Sequence, residues 1–296
     1  MLFLVQLIVC RIKSKYINFH KAKSIILKVY LTLERNVRVK KYIANFMKYK
    51  FLLSELVKKD IKLKYRRSKL GILWTLLEPL LTMIVLSVVF SELKGNTDRT
   101  FPVYVLTGRL LYSYFSNGTK VAARSIRSHS SMMRKVYIPK YMYPLSSILS
   151  NFVIFLISLI VLVGVTLVLR IEVTVHVFEA IYPLVILFLL TLGVGLILAT
   201  LEVFFRDLEY LWSVVLMIIM YCCAIFYQAD MLKGNKHLIL DLNPVYALIK
   251  NFRNAVLYGT GPDYGALAYA GTFSVVALVI GVLAFYKKQD EFILNL

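Results

Sequence analysis

The sequence predicts an all-α integral membrane protein with six transmembrane helices, and three observations lead there. Of its 296 residues 59% are hydrophobic, too many for an ordinary soluble domain of that length. Two runs, 145–169 and 182–205, exceed the roughly 20 apolar residues that cross a bilayer, and others approach it. The net charge of +20 is gathered into two blocks. Residues 1–71 hold 19 Lys/Arg against 3 Asp/Glu, and residues 120–141 hold Lys120, Arg124, Arg127, Arg134, Lys135 and Lys140 with no acid. The remaining connections are close to neutral, so both basic blocks belong on the cytoplasmic side. The charge then reads as topology and not as a nucleic-acid footprint.

The chain opens with a basic extension, 1–45. Its first ten residues carry their charge after the apolar stretch, which does not fit a cleaved signal peptide. Over 46–69, Leu53, Leu56, Val57, Ile61 and Tyr65 recur at helical spacing, with Lys58, Lys59, Lys62, Lys64 and Arg66 largely on the other face. Such an amphipathic helix lies along the membrane surface, either as a lipid anchor or as a docking face for a cytoplasmic partner.

The six spans are expected at about 72–91, 102–120, 143–169, 182–205, 210–227 and 264–286, with both termini cytoplasmic. Arg109 and several Tyr and Ser residues interrupt the second, which is required to keep both basic blocks on one side. Between the fifth and sixth, the apolar stretch from Asn243 to Arg253 is too short to cross and reads as a re-entrant or interfacial helix on the outer face. Pro244 suits its first turn and Asn243 its N-cap.

Nothing in the chain resembles a phosphate-binding loop, so any ATP-driven step needs another subunit. His20, His129, His176 and His237 are scattered singly, and Cys10, Cys222 and Cys223 have neither disulfide nor metal-ligand spacing. No catalytic residue, metal or cofactor is therefore expected. Within the spans, Glu78 and Arg109 are the ionisable residues that matter. Their depths differ by about 10 Å, so they pair only if both side chains reach, and Arg109 is otherwise expected to snorkel to the interface. Glu202 is expected to pair with Arg206, one turn on. Tyr112, Tyr114, Phe115, Tyr221, Phe226 and Tyr227 fit either an interfacial belt or a lining for sugar rings.

The stretch Lys64-Tyr65-Arg66-Arg67-Ser68-Lys69-Leu70-Gly71 is followed by Leu73-Trp74, Glu78-Pro79-Leu80 and Val89-Phe90. Further on come Phe101-Pro102, Leu106-Thr107-Gly108, Arg134 to Pro139, Phe205-Arg206-Asp207-Leu208, and Asn243-Pro244 with Arg253. In this order the set resembles the ABC-2 type permeases that export O-antigen, teichoic acid and related polysaccharides, and it covers about residues 46–286. The resemblance implies a homodimer in the bacterial cytoplasmic membrane, docked on two ABC ATPase subunits that bind ATP and Mg, moving an undecaprenyl-pyrophosphate-linked glycan outward. It implies a coupling helix at about 125–137, with Ser125, Arg127, His129, Met133, Arg134, Lys135 and Tyr137 meeting the ATPase. The 46–69 helix becomes the interface helix, with Leu53, Leu56, Val57, Ile61 and Arg66. Residues 70–286 become the transmembrane domain, 287–296 a short tail, and Asn243, Pro244 and Arg253 part of an outer gate. Glu78, Arg109 and Cys222-Cys223 depart from the family's usual residues, and 1–45 has no counterpart. The alternatives are an exporter of drugs or small lipids with the same architecture, and a membrane glycosyltransferase using Asp207 and Glu209, whose i,i+2 spacing puts them on different helix faces.

Overall fold

The computed structural model describes Met47, 49–94, 99–135, 138–172, 174–227 and 240–295, and every regular element among these residues is helical. The chain divides after Leu52 into two units, and the second, Leu53–Leu296, contains all that follows. The unit opens with helix α1, residues 53–65, on which Leu53 and Leu56 are buried while Arg66 beyond its end is exposed. Leu53 and Leu56 are thus covered by protein. Val57 and Ile61 are half-buried on the same face.

Gly71 takes φ +53, a left-handed turn that other residues adopt only with strain, and leads through the 3-10 turn Gly71–Leu73 into α2, Trp74–Lys94. Pro79 lies inside α2 and has no N–H to offer the carbonyl four residues back, that of Thr75. Ser158 fills the gap: its hydroxyl donates to Thr75 O at 3.0 Å from the neighbouring helix α5, Met142–Val168.

The central column is α3, Phe101–Ser128, at 28 residues about 42 Å long. It packs along α5 and along α6, Ile181–Phe204. The short α4, Ser130–Met133, follows it. After α6, Phe205 turns extended and α7, Leu208–Tyr221, begins. Then come the turn at 222–227, α8, Pro244–Val256, and α9, Tyr264–Lys288, closed by α10, Phe292–Asn295. The most extensive helix pairing joins α6 and α9. There a Cβ on Gly193 would fall 2.5 Å from Leu278 N, and one on Gly281 2.6 Å from Gly193 O. Small residues at this crossing bring the two backbones together, as membrane helices require.

Among the described residues, four stretches are long and apolar enough to cross a membrane: Gly71–Phe90, Met142–Val168, Val175–Phe204 and Tyr264–Asn295. They answer to the first, third, fourth and sixth expected spans. The second corresponds to α3, long enough but too polar to qualify. The fifth corresponds to α7, whose 14 residues rise only about 21 Å.

A polar groove along the central helix as candidate functional site

Most of α3 is buried, and apart from Val121 what it leaves exposed is polar. At 100° per residue, Arg109, Ser113, Asn117, Lys120, Arg124 and Arg127 fall within an arc of about 80°. Each is exposed or half-exposed. From Arg109 to Arg127 the stripe advances about 27 Å.

Two walls flank the stripe. On one side a cavity of about 70 Å³ is lined by Glu78 and Thr82 of α2, Arg109, Ser113 and Asn117 of α3, Asn151 and Ser158 of α5, and Lys64 of α1. Glu78 and Arg109 thus share one cavity, yet no ion pair joins them among the described residues. Burial lowers the Lys64 pKa, while the nearby Glu78 works in the opposite direction. On the other side α7 runs antiparallel along α3. Glu209 meets Arg124 and Arg127 at 2.8 and 3.1 Å, and Trp212 Nε1 donates to Thr119 Oγ1 at 3.0 Å. Tyr112 OH donates to Leu216 O at 2.7 Å, and Arg109 Nη1 reaches Met220 Sδ at 3.9 Å.

At the basic end Arg127 also lies 2.9 Å from Glu202 Oε1, an ion-pair distance without hydrogen-bond alignment. This replaces the expected Glu202–Arg206 pair, because α6 ends at Phe204 and Arg206 does not continue its turn. The expected coupling helix also changes. Ser125 and Arg127 belong to α3, which runs unbroken to Ser128, and only Ser130–Met133 forms a separate helix. Ser125 is buried, with its hydroxyl donating to Ala122 O at 2.6 Å, so it offers no docking contact. His129 sits at the break: its ring lies 4.9 Å from that of Tyr143, and its Nε2 is 4.0 Å from Asp60 Oδ1 on α1. Burial raises the Asp60 carboxyl above its ordinary value, against a lowering contribution from His129. Met133 is half-buried, Arg134 and Lys135 are exposed, and Tyr137 lies outside the described residues.

At the other end α8 is held by two side chains. Asn243 caps it, accepting from Val245 N at 3.0 Å and donating to Cys222 O at 3.1 Å, with Pro244 in the first turn. Arg253 is 3% exposed. It donates to Ala224 O at 3.1 Å and to Tyr104 O at 3.0 Å, and its guanidinium lies 3.5 Å from the Tyr104 ring centre. Tyr104 OH in turn donates to Ala224 O and Tyr227 O at 2.9 and 2.8 Å. A Cβ on Gly108 would stand 2.5 Å from Arg253 Nη2, so the side chain passes only because position 108 is glycine.

The aromatic residues divide differently from either expectation. Tyr112, Tyr114 and Phe115 are buried, Tyr114 packed on Phe152 and Phe155 and Phe115 edge-on to Trp212, and of the three only Tyr114 also borders the cavity beside Arg109. Phe226 stacks on Phe90 at 5.8 Å, Tyr227 OH donates to Tyr221 O at 2.7 Å, and Tyr221 is exposed. Glu209, half of the acidic pair that an enzyme would need, is committed to Arg124 and Arg127.

A bundle of helices long and apolar enough to cross a membrane, packed around a central helix with a polar stripe, has the architecture of a membrane transport permease. The model of the ABC-2 type transporter family matches residues 52–257, and the chain belongs to that family. It is 29% identical over 248 residues to the O-antigen export system permease protein RfbA of Myxococcus xanthus, covering 82% of this chain and 95% of that one. To the polysialic acid transport protein KpsM of Escherichia coli it is 24% identical over 263 residues, 85% of this chain and 98% of the other. To the capsule polysaccharide export inner-membrane protein CtrC of Neisseria meningitidis serogroup B it is 23% identical over 185 residues, 60% and 68% of the two chains.

Proposed function

We propose that the chain is the permease subunit of an ABC exporter that carries a lipid-linked cell-surface polysaccharide outward across the bacterial cytoplasmic membrane. A separate ATPase subunit, in two copies, supplies ATP and Mg chemistry, and two copies of this chain enclose the path. The observation that carries this reading is the uncovered polar stripe of α3. A lipid-facing helix has no use for Arg109, Ser113, Asn117 and Lys120, and polar side chains at that depth belong to a water-filled cavity. The stripe lies between α2 and α7, whose outward residues, among them Val85, Val88, Val214 and Ile218, are exposed and apolar. A second copy laid against those faces closes the groove into a conduit and buries the apolar surface with it.

In this reading α3 and α7 are the second and fifth crossings and both termini are cytoplasmic. The exposed Arg134 and Lys135 beside α4 then dock on an acidic face of the ATPase. Single cysteines near Arg134 and near Gly261, probed with a membrane-impermeant thiol reagent in a cysteine-free background, are expected to label from opposite sides. The functional test is purification of the tagged chain from native membranes together with deletion of its gene. An ATPase subunit is expected to co-purify, and the surface glycan to be lost. Absence of any ATPase, or an intact surface glycan after deletion, would overturn the reading.

A further inference from the structure

We propose that the groove is built for an anionic glycan, whose carboxylate or phosphate groups are met by Arg109 and Lys120 as they pass; this rests on the export reading above. The stripe carries four cations and no acid, and they are not equivalent. Arg124 and Arg127, at the basic end, are neutralised by Glu209 and Glu202. Arg109 and Lys120 have no carboxylate within ion-pair distance among the described residues, and the only side-chain partner that Arg109 shows there is the Met220 sulphur. They stand on the same face of α3, 11 positions and so about 16 Å apart.

Holding a cation without a counter-ion inside a span, as at Arg109, is costly, and such residues mark the route of an oppositely charged ligand; Lys120 stands on the same face at the cytoplasmic end. A neutral glycan needs only hydroxyl and amide partners, which Ser113, Asn117 and Asn151 already offer beside the same cavity. Two uncompensated cations add nothing to that recognition. Glu78 on the facing wall prevents the site from becoming a trap. It competes for Arg109 as an anion departs, and passage demands sites that bind weakly enough to release. Together Lys64, Arg109 and Lys120 leave this part of the groove positive despite Glu78.

The test uses the purified permease–ATPase complex in lipid nanodiscs. Intrinsic fluorescence reports on the groove through Trp212, which bonds to Thr119 beside Lys120. The probes are a uronic-acid oligosaccharide, its neutral carboxyl-reduced counterpart, and undecaprenyl pyrophosphate without glycan. The wild type is expected to bind the uronate at least about tenfold more tightly than the neutral sugar. Arg109→Gln and Lys120→Gln are each expected to lose most of that preference, and Arg109→Lys to keep it. If only the pyrophosphate lipid depends on the two cations, the anion they meet is the lipid linker and the glycan assignment falls. Equal responses of wild type and both Gln variants to every probe would overturn the proposal, leaving the two side chains as snorkelling cations. Thermal melts of the variants separate these outcomes from misfolding. A wild-type complex that binds the uronate while its deletion leaves the surface glycan intact would sink the export reading and not this one.

Discussion

Replacing Arg253 by Lys is expected to harm the protein more than replacing it by Met. The guanidinium makes two charge-assisted hydrogen bonds, about 1.5–3 kcal/mol each, and a desolvated cation–π contact of about 2 kcal/mol. Against these stands the cost of holding a cation away from water, several kcal/mol, with no carboxylate beside it. The two sides nearly cancel, so an apolar side chain of similar length changes stability by no more than about 2 kcal/mol. It also strands no acceptor. Ala224 O keeps the Tyr104 hydroxyl at 2.9 Å, and Tyr104 O keeps the Thr107 hydroxyl at 2.9 Å. Lysine retains the burial cost of a charge and loses both the fork and the stacking, for about 3 kcal/mol or more. Thermal unfolding in nanodiscs, followed through tryptophan fluorescence, converts each kcal/mol into about 2–4 °C. An Arg253→Lys variant that melts at or above the Arg253→Met variant would refute the reasoning.

Gly108→Ala drives a methyl group into the pinned guanidinium and is expected to cost about 1–3 kcal/mol, and less in an Arg253→Met background, as a double-mutant cycle would measure. Ser158→Ala removes the donor that replaces the missing Pro79 N–H and leaves Thr75 O short of a partner. The expected loss is about 1–3 kcal/mol, and Thr, which keeps the hydroxyl, restores most of it in the same melt. Because burial raises the Asp60 pKa above 3.8, the fold favours its neutral form. That contribution is complete below the unfolded value and is lost as pH rises through the folded one. Asp60→Asn should therefore melt above the wild type at neutral pH and converge with it in acid; a gap that widens in acid would contradict the sign.

What can be read from the chain before folding is what a single segment determines. The expected spans 143–169, 182–205 and 264–286 fall within a few residues of α5, α6 and α9, since an unbroken apolar run must form a helix to satisfy its own backbone in lipid. The Asn243–Pro244 cap is equally local. What stays hidden depends on partners far along the chain. Periodicity assigns Glu202 to Arg206 by continuing α6 past the point where Phe205 ends it, whereas its actual partner, Arg127, lies 75 positions earlier. Tyr112 and Phe115 fit a belt or a lining equally well before folding, because an aromatic residue in a span reads the same whether it faces a core, lipid or a cavity. The stripe itself is legible in principle, as Arg109, Ser113, Asn117 and Lys120 repeat at helical spacing. Its significance is not, because only the packing of α5, α6 and α7 shows which face of α3 is left uncovered.

The same helix carries the features at both ends. Arg124 and Arg127 tie the basic end of α3 to α6 and α7, and Tyr104 ties the opposite end to α8 through Arg253. Pro102 is the only proline in α3 and sits in its first turn, so no proline kink separates the two ends. Hydrogen bonds at Tyr112, Thr119 and Arg127 join α3 to α7 at successive levels. By contrast α2, the first span, is only 6% buried over its apolar window and is fastened to α5 through the Ser158 hydroxyl. α3 and α7 are thus joined along their length, the arrangement in which packed helices move as rigid bodies. The facing wall of the groove is α2, which carries Glu78.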